Sequence, residues 1–126
     1  MHTASLIITD DDPTIVKLIT EVAESIGYEV SSATNGKQLL TAITEAPPNV
    51  IILDLVMPDM DGIETLRELA KRECTSALIF ITGFQQGYLD TANLIGSARG
   101  LNIIGSLNKP FSLDSLNDIL QTAYPS

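Results

Sequence analysis

The sequence predicts an α/β domain whose parallel β-sheet is covered by helices on both faces. Five short apolar or β-prone runs alternate with stretches whose apolar residues recur at helical spacing. The run Val50–Leu53 is continuously apolar, which is typical of a strand buried on both faces of a parallel sheet. With 126 residues and 44% hydrophobic content, we expect residues 1–126 to form one domain with its own core.

The predicted strands are short and each is followed by a turn signal or a polar residue. Asp54 closes the central run, and Met57-Pro58 then takes the chain out of the strand. The other strands are expected at Ser5–Thr9, Tyr28–Ala33, Ala77–Ile81 and Ile103–Leu107.

Helix boundaries are marked by capping residues. Asp12 precedes Pro13, a pairing typical of an N-cap and first helical position, and Gly27 suits the end of the same helix. Ser112 is expected to cap the last helix. A fourth helix is expected between residues 84 and 102, where glycines interrupt the helical spacing.

Composition excludes several classes of site. His2 is the only histidine and Cys74 the only cysteine, which excludes disulfides and Cys/His metal cages and leaves hard, oxygen-bound cations. The net charge of -9 repels nucleic acid and anionic membrane, so we expect no direct nucleic-acid binding. Neither a signal peptide nor a membrane-spanning run is recognisable, and we expect a cytoplasmic protein.

Unusual polar residues follow four of the predicted strands. Asp10 and Asp11 follow the first strand, Asp54 the third, Thr82 the fourth and Lys109 the fifth. The carboxyl ends of parallel strands meet at one edge of the sheet, where doubly wound folds bind ligands. Asp54 alone could be an ordinary turn residue, but the joint placement of all five predicts a site.

The chemistry of this group points to phosphoryl transfer. Three crowded carboxylates repel one another unless a divalent cation or a lysine offsets them, and Mg²⁺ is the natural oxygen-bound ion. A phosphate could then approach Asp54, with the Thr82 hydroxyl and the Lys109 ammonium meeting its oxygens. This arrangement suits formation of an aspartyl phosphate.

The same residues carry a family resemblance that covers the whole chain. The sequence resembles the receiver domains of bacterial two-component response regulators. The matching residues are Asp10-Asp11, Leu53-Asp54, Met57-Pro58-Asp59-Met60-Asp61-Gly62, Thr82 and Lys109-Pro110-Phe111.

The resemblance implies a flavodoxin-like, doubly wound sheet of five strands in the order 2-1-3-4-5 with five helices. It implies that Asp54 accepts a phosphoryl group from a sensor histidine kinase or a phosphotransfer protein. It also implies Mg²⁺ bound by Asp10 or Asp11, by Asp54 and by the Val56 carbonyl, and a cis peptide bond before Pro110.

The resemblance further implies a signalling domain rather than an enzyme, limited to self-phosphorylation and its reversal. Autodephosphorylation is expected to be slow, because Val56 and Phe84, two residues after Asp54 and Thr82, are apolar and cannot hold an attacking water by hydrogen bonding. The resemblance also implies a partner that reads the phosphorylated state. This partner is an output domain, an effector protein or a second copy of the chain in a phosphorylation-dependent dimer. The switching surface is expected near the fourth helix and the fifth strand.

Two features depart from the usual receiver pattern. Ser106 stands three residues before Lys109, where receivers usually carry a rotating aromatic residue, and Thr82 to Lys109 spans 27 positions (109 − 82). Together with the stretch of residues 100–111, these two features resemble receivers joined to EAL-type cyclic-di-GMP phosphodiesterases.

A rival interpretation is an enzyme. Asp10-Asp11-Asp12-Pro13-Thr14 also fits the Asp-x-Asp-x-Thr signature of haloacid-dehalogenase-type phosphatases, with Asp10 as nucleophile and Asp12 as acid. That interpretation gives Asp54 no role. A third interpretation, an adaptor of the same fold that cannot be phosphorylated, is disfavoured because every residue of the site is present.

Overall fold

The computed structural model describes residues 3–57, 62–83 and 86–125. A five-stranded sheet has the strand order β2-β1-β3-β4-β5, and every neighbouring pair is parallel. This confirms the predicted fold class. The strands are β1 Ser5–Thr9, β2 Glu29–Ala33, β3 Val50–Asp54, β4 Ala77–Thr82 and β5 Asn102–Asn108. The helices are α1 Pro13–Ile26, α2 Gly36–Glu45, α3 Gly62–Lys71, α4 Gln86–Ala98 and α5 Leu113–Ala123.

The sheet separates two hydrophobic clusters. Alternate residues of the central strands face opposite sides, so Ile51 and Leu53 pack under α2, α3 and α4, whereas Val50 and Ile52 pack under α1 and α5. All five residues of β3 are buried. Burial on both faces explains why this strand reads as a continuous apolar run instead of an alternating one.

Capping fixes where the helices begin and end. The Asp12 carboxylate accepts a hydrogen bond from the Thr14 amide at 3.0 Å, and the Ser112 hydroxyl accepts one from the Ser115 amide at 3.0 Å. Gly27 ends α1 with φ of 120°, a backbone region that favours glycine. All three predicted caps are confirmed.

The observed strands differ from the predicted ones at β2, β3, β4 and β5. Strands β3 and β4 each include the polar residue predicted to follow them, Asp54 and Thr82 respectively. Strand β2 begins one residue later than predicted because the Tyr28 amide donates to the Ala23 carbonyl and completes the end of α1. Strand β5 is longer at both ends and contains an irregularity of register opposite Leu78 and Ile79. The fourth helix is regular from Gln86 to Ala98 despite its glycines. No helix among the described residues is long and apolar enough to cross a membrane.

Candidate functional site

Strand register brings the first and third strands' acids together. Thr9 of β1 pairs with Leu53 of β3, so Asp10 and Asp54 follow side by side at the carboxyl edge of the sheet. Both side chains are buried, with 1% of Asp10 and 4% of Asp54 exposed. Because charged carboxylates are rarely buried without partners, this pair marks the edge as a polar site.

The two carboxylate oxygens of Asp54 have different partners. Oδ1 accepts a hydrogen bond from the Val56 amide at 3.0 Å, and Oδ2 accepts one from Lys109 Nζ at 3.2 Å. The Val56 bond closes a tight turn just after β3. The carboxylate is therefore held in one orientation at the end of the central strand.

Lys109 connects all the strands that form the site. Its ammonium lies 3.2 Å from Oδ2 of Asp54 and 3.2 Å from Oδ2 of Asp10. Its backbone amide donates to the carbonyl of Thr82 at 2.8 Å. The peptide bond between Lys109 and Pro110 is cis, as the resemblance implies.

Asp10 keeps one oxygen outside any hydrogen bond. Oδ1 accepts from the Asp12 amide at 2.9 Å. Among the described residues, Oδ2 has only the ion pair with Lys109 and no hydrogen bond, although the atom is buried. Within the described residues, the Lys109 ammonium is therefore the group that offsets the charge of this buried oxygen.

The pKa values of Asp54 and Lys109 are both raised above their usual values. Burial, and after it the neighbouring Asp10 charge, raises the pKa of Asp54 above its usual value, although the Val56 amide and Lys109 act against the rise. Burial alone would lower the pKa of Lys109, but Asp54 and Asp10 together raise it above its usual value. The ammonium therefore stays charged, and the ionised Asp54 is held at a cost in free energy.

The residues present fit a divalent cation. Carboxylate oxygens of Asp10, Asp11 and Asp54 lie within 4.8 Å of one another, and Asp11 is exposed. Oxygen-only ligands of this charge suit Mg²⁺, and the Asp10 oxygen that lacks a hydrogen bond is a ready ligand atom.

Thr82 reaches the same edge at the end of β4. Its side chain is buried, with 2% exposed, and its register partner is Asn108, which directly precedes Lys109. The structure thus brings together all five residues predicted from the strand ends. Val56 lies beside them and is exposed, whereas Pro58, Asp59, Met60 and Asp61 of the predicted motif lie outside the described residues.

Sequence reasoning missed the structural role of Gly62. The Gly62 amide donates to the Leu55 carbonyl at 3.0 Å, and an added Cβ would lie 2.5 Å from the Leu55 Cα. Only glycine allows the start of α3 to lie this close to the backbone that carries Asp54 and Val56. The glycine at the end of the Met57–Gly62 motif was a signal for this approach, but its partner could not be read from the sequence.

A sizeable cavity lies far from this site. About 520 Å³ of space opens at the amino edge of the sheet, beside the ends of α2 and α3 and next to Cys74. None of the residues that line it belongs to the predicted site. The residues of the predicted site lie at the opposite, carboxyl edge of the sheet.

The geometry argues against the phosphatase alternative. Asp12 would have to act as an acid beside a phosphate bound at Asp10, but its carboxylate is engaged as the N-cap of α1. Asp10 as nucleophile would leave the buried, lysine-paired Asp54 without a function.

Comparisons with known proteins agree with one another. The model of the response regulator receiver domain family matches residues 6–121. Sporulation initiation phosphotransferase F from Bacillus subtilis is 31% identical over 125 residues, which cover 99% of this chain and 97% of that protein. Regulatory protein AtoC from Escherichia coli is 30% identical over 118 residues, 94% of this chain but 24% of that protein.

Solved structures give the same assignment. A response regulator from Colwellia psychrerythraea is 34% identical with a TM-score of 0.82, and the match covers 96% of both chains. Chemotaxis protein CheY4 from Vibrio cholerae is 26% identical with a TM-score of 0.82, covering 98% of this chain and 100% of that one. With the family model matching most of its length, the chain belongs to the response regulator receiver domain family of two-component systems.

Proposed function

We propose that Asp54 is the phosphoacceptor of this signalling domain and that its donor is a phosphohistidine of a sensor histidine kinase or a phosphotransfer protein. The observation that carries the proposal is the position of Asp54, which is buried at the end of the central strand with Lys109 at 3.2 Å. In the step proposed, a carboxylate oxygen of Asp54 forms a bond to phosphorus as the phosphorus–nitrogen bond breaks. The bonding electron pair leaves with the imidazole nitrogen, which takes up a proton.

Each neighbouring residue has a proposed part in this step. The Val56 amide fixes one oxygen of Asp54, which leaves the other to attack, and the Lys109 ammonium and the Thr82 hydroxyl meet the phosphoryl oxygens. Asp10, Asp11, Asp54 and the Val56 carbonyl would hold Mg²⁺. When bound, that ion supplies positive charge against the developing phosphoryl charge.

The proposed role is signalling and not turnover of a substrate. The domain, proposed to span residues 1–126, would phosphorylate itself from a donor, lose the group slowly and change the surface near α4 and β5 in between. An output domain or effector protein would read that surface, and a phosphorylation-dependent dimer is a second way to read it. Cytoplasmic location and the absence of direct nucleic-acid binding stay predictions from composition.

Incubation with acetyl phosphate and Mg²⁺, followed by intact mass measurement, tests the proposal. We expect wild type to gain one phosphoryl group and Asp54→Asn to gain none. Asp12→Asn is a matched control, because asparagine still caps a helix and Asp12 only caps α1, so this variant should gain the group. Peptide mapping that places the group on Asp10 instead of Asp54 would favour the phosphatase interpretation.

A further inference from the structure

The irregularity in β5 turns two neighbouring residues to one face of the sheet. Ile103 and Gly105 pair with successive residues of β4, which leaves Ile104 without a register partner. Ile104 packs against the cluster under α5, and a Cβ added to Gly105 would lie 2.7 Å from Ile119 Cδ1 on that same side. Ile103 therefore points the other way, into the cluster under α4.

Ile103 meets the backbone of α4 directly. Among the side chains of this helix that the structure describes, Leu89, Ala92 and Gly96 are buried, so small residues bring its C-terminal half close to the sheet. A Cβ on Gly96 would overlap Cδ1 of Ile103 and would lie 3.2 Å from its Cγ1. A β-branched side chain is stiff at χ1, which restricts the position of Cγ1, so Ile103 forms a bulky knob under that half of the helix.

The other end of α4 has no such contact at its glycine. A Cβ added to Gly87, in the first turn, would meet nothing within 4 Å. This first turn is also the end of α4 that follows Thr82 along the chain. The helix therefore contacts Ile103 closely at its C-terminal half, whereas the glycine of its first turn is exposed.

The usual aromatic residue of β5 is replaced by a small, exposed one. Ser106 alternates with Gly105 and so lies on the α4 side of β5, where it is exposed. A serine has no large side chain that could move between an outer and an inner position. Ile103, three residues earlier and on the same side, is the bulky residue of β5 that contacts α4.

We propose that the contact between Gly96 and Ile103 is a pivot about which α4 swings when the site is phosphorylated. The inference rests on the proposed phosphorylation of Asp54. In it, the phosphoryl group draws Thr82 inward, the first turn of α4 follows, and the C-terminal half rotates on the Ile103 side chain without sliding along β5. The pivot takes the place of a moving aromatic residue.

A double-mutant cycle with two controls tests this pivot. Gly96→Ala inserts a methyl group that overlaps Ile103 Cδ1, and Ile103→Val removes that atom. The double variant should therefore restore the packing of α4 on β5. Gly87→Ala adds the same methyl group to the same helix in open space. Beryllofluoride with Mg²⁺ serves as the phosphoryl substitute, and its ¹⁹F resonance reports occupancy of the site separately from any motion. Hydrogen exchange of residues 86–98 reports the helix.

We expect beryllofluoride to change exchange in the first turns of α4 in wild type and Gly87→Ala. Gly96→Ala should lose this change while the ¹⁹F signal of bound beryllofluoride remains, and Gly96→Ala combined with Ile103→Val should regain it. Should Gly96→Ala alone fold poorly, Ile103→Ala removes the knob instead, and the change should then spread to the last turn of α4.

Three results would overturn the pivot. They are a wild-type response in Gly96→Ala, an equal loss in Gly87→Ala, and a failure of the double variant to recover while its site is occupied. Absence of bound beryllofluoride in wild type would instead overturn the proposed function, and the pivot with it.

Discussion

Gly62→Ala is expected to destabilise the fold and the site together. The added Cβ would lie 2.5 Å from the Cα and 2.8 Å from the carbonyl oxygen of Leu55, and backbone atoms cannot rotate away as a side-chain end can. Overpacking of this kind costs about 3 kcal/mol at the upper end of the usual range. The better helix propensity of alanine returns up to about 1 kcal/mol. The net loss is about 2 kcal/mol, a fall in Tm of about 8 °C for a domain of this size.

Urea denaturation and thermal unfolding of the purified protein measure this loss, with Gly87→Ala as the control. An alanine at Gly87 has open space, so it should gain up to about 1 kcal/mol from helix propensity. Affinity for beryllofluoride should also fall in Gly62→Ala, because displaced backbone at Leu55 moves the Val56 amide from the Asp54 carboxylate. Wild-type stability in Gly62→Ala, or the same loss in both variants, would refute the steric argument.

Four further substitutions are expected to act through single groups. Asp54→Asn should be more stable than wild type at pH 7 without Mg²⁺. The pKa of Asp54 is raised in the folded state, so its contribution to stability is present below pH 3.8 and is lost as the pH rises through the folded-state pKa. The difference in Tm between the two proteins should therefore shrink toward pH 4. Thr9→Val should gain about 1 kcal/mol in urea denaturation, since Thr9 Oγ1 is buried without a hydrogen-bond partner among the described residues, whereas Thr9→Ser should not. Tyr28→Phe should lose about 1 kcal/mol with the 2.6 Å bond to the Leu120 carbonyl. Burial, and after it Tyr124, raises the pKa of Tyr28 to about 12, so wild type alone should lose this stability as the pH rises from 10 toward 12. Val56→Asn should speed release of phosphate from the phosphorylated protein by about tenfold or more, because the exposed Val56 cannot hold an attacking water by hydrogen bonding. Phe84, the other residue on which this prediction rests, lies outside the described residues.

The fold was largely predictable because its signals are local. The continuous apolar run of β3, the cap at Asp12 and the turn at Gly27 each report burial or backbone geometry at their own positions. The bulge at Ile104 was not predictable, since it depends on how β5 packs between α4 and α5. The same is true of the start of β2, which the Tyr28 amide decides by bonding to α1.

The sequence predicted which residues form the site, but not how deeply each of them is buried. Strand ends placed Asp10, Asp54 and Lys109 at one edge, and the structure pairs them. The sequence could not distinguish the buried Asp10 from the exposed Asp11, because that difference depends on which way each side chain leaves the strand. The likeness to receivers joined to EAL-type phosphodiesterases stays a prediction.

Lys109 is where charge and backbone position are linked. Its ammonium offsets the charges of Asp54 and Asp10, and its amide holds the Thr82 carbonyl at 2.8 Å. A phosphoryl group on Asp54 would replace the single carboxylate charge with a charge of about −2, at an edge that also holds Asp10 and Asp11. The ammonium would then move toward the phosphoryl oxygens, and the amide on the same residue would carry Thr82 with it. In the proposed reaction, the residue that neutralises the new charge is therefore also the one that transmits its arrival to β4 and α4.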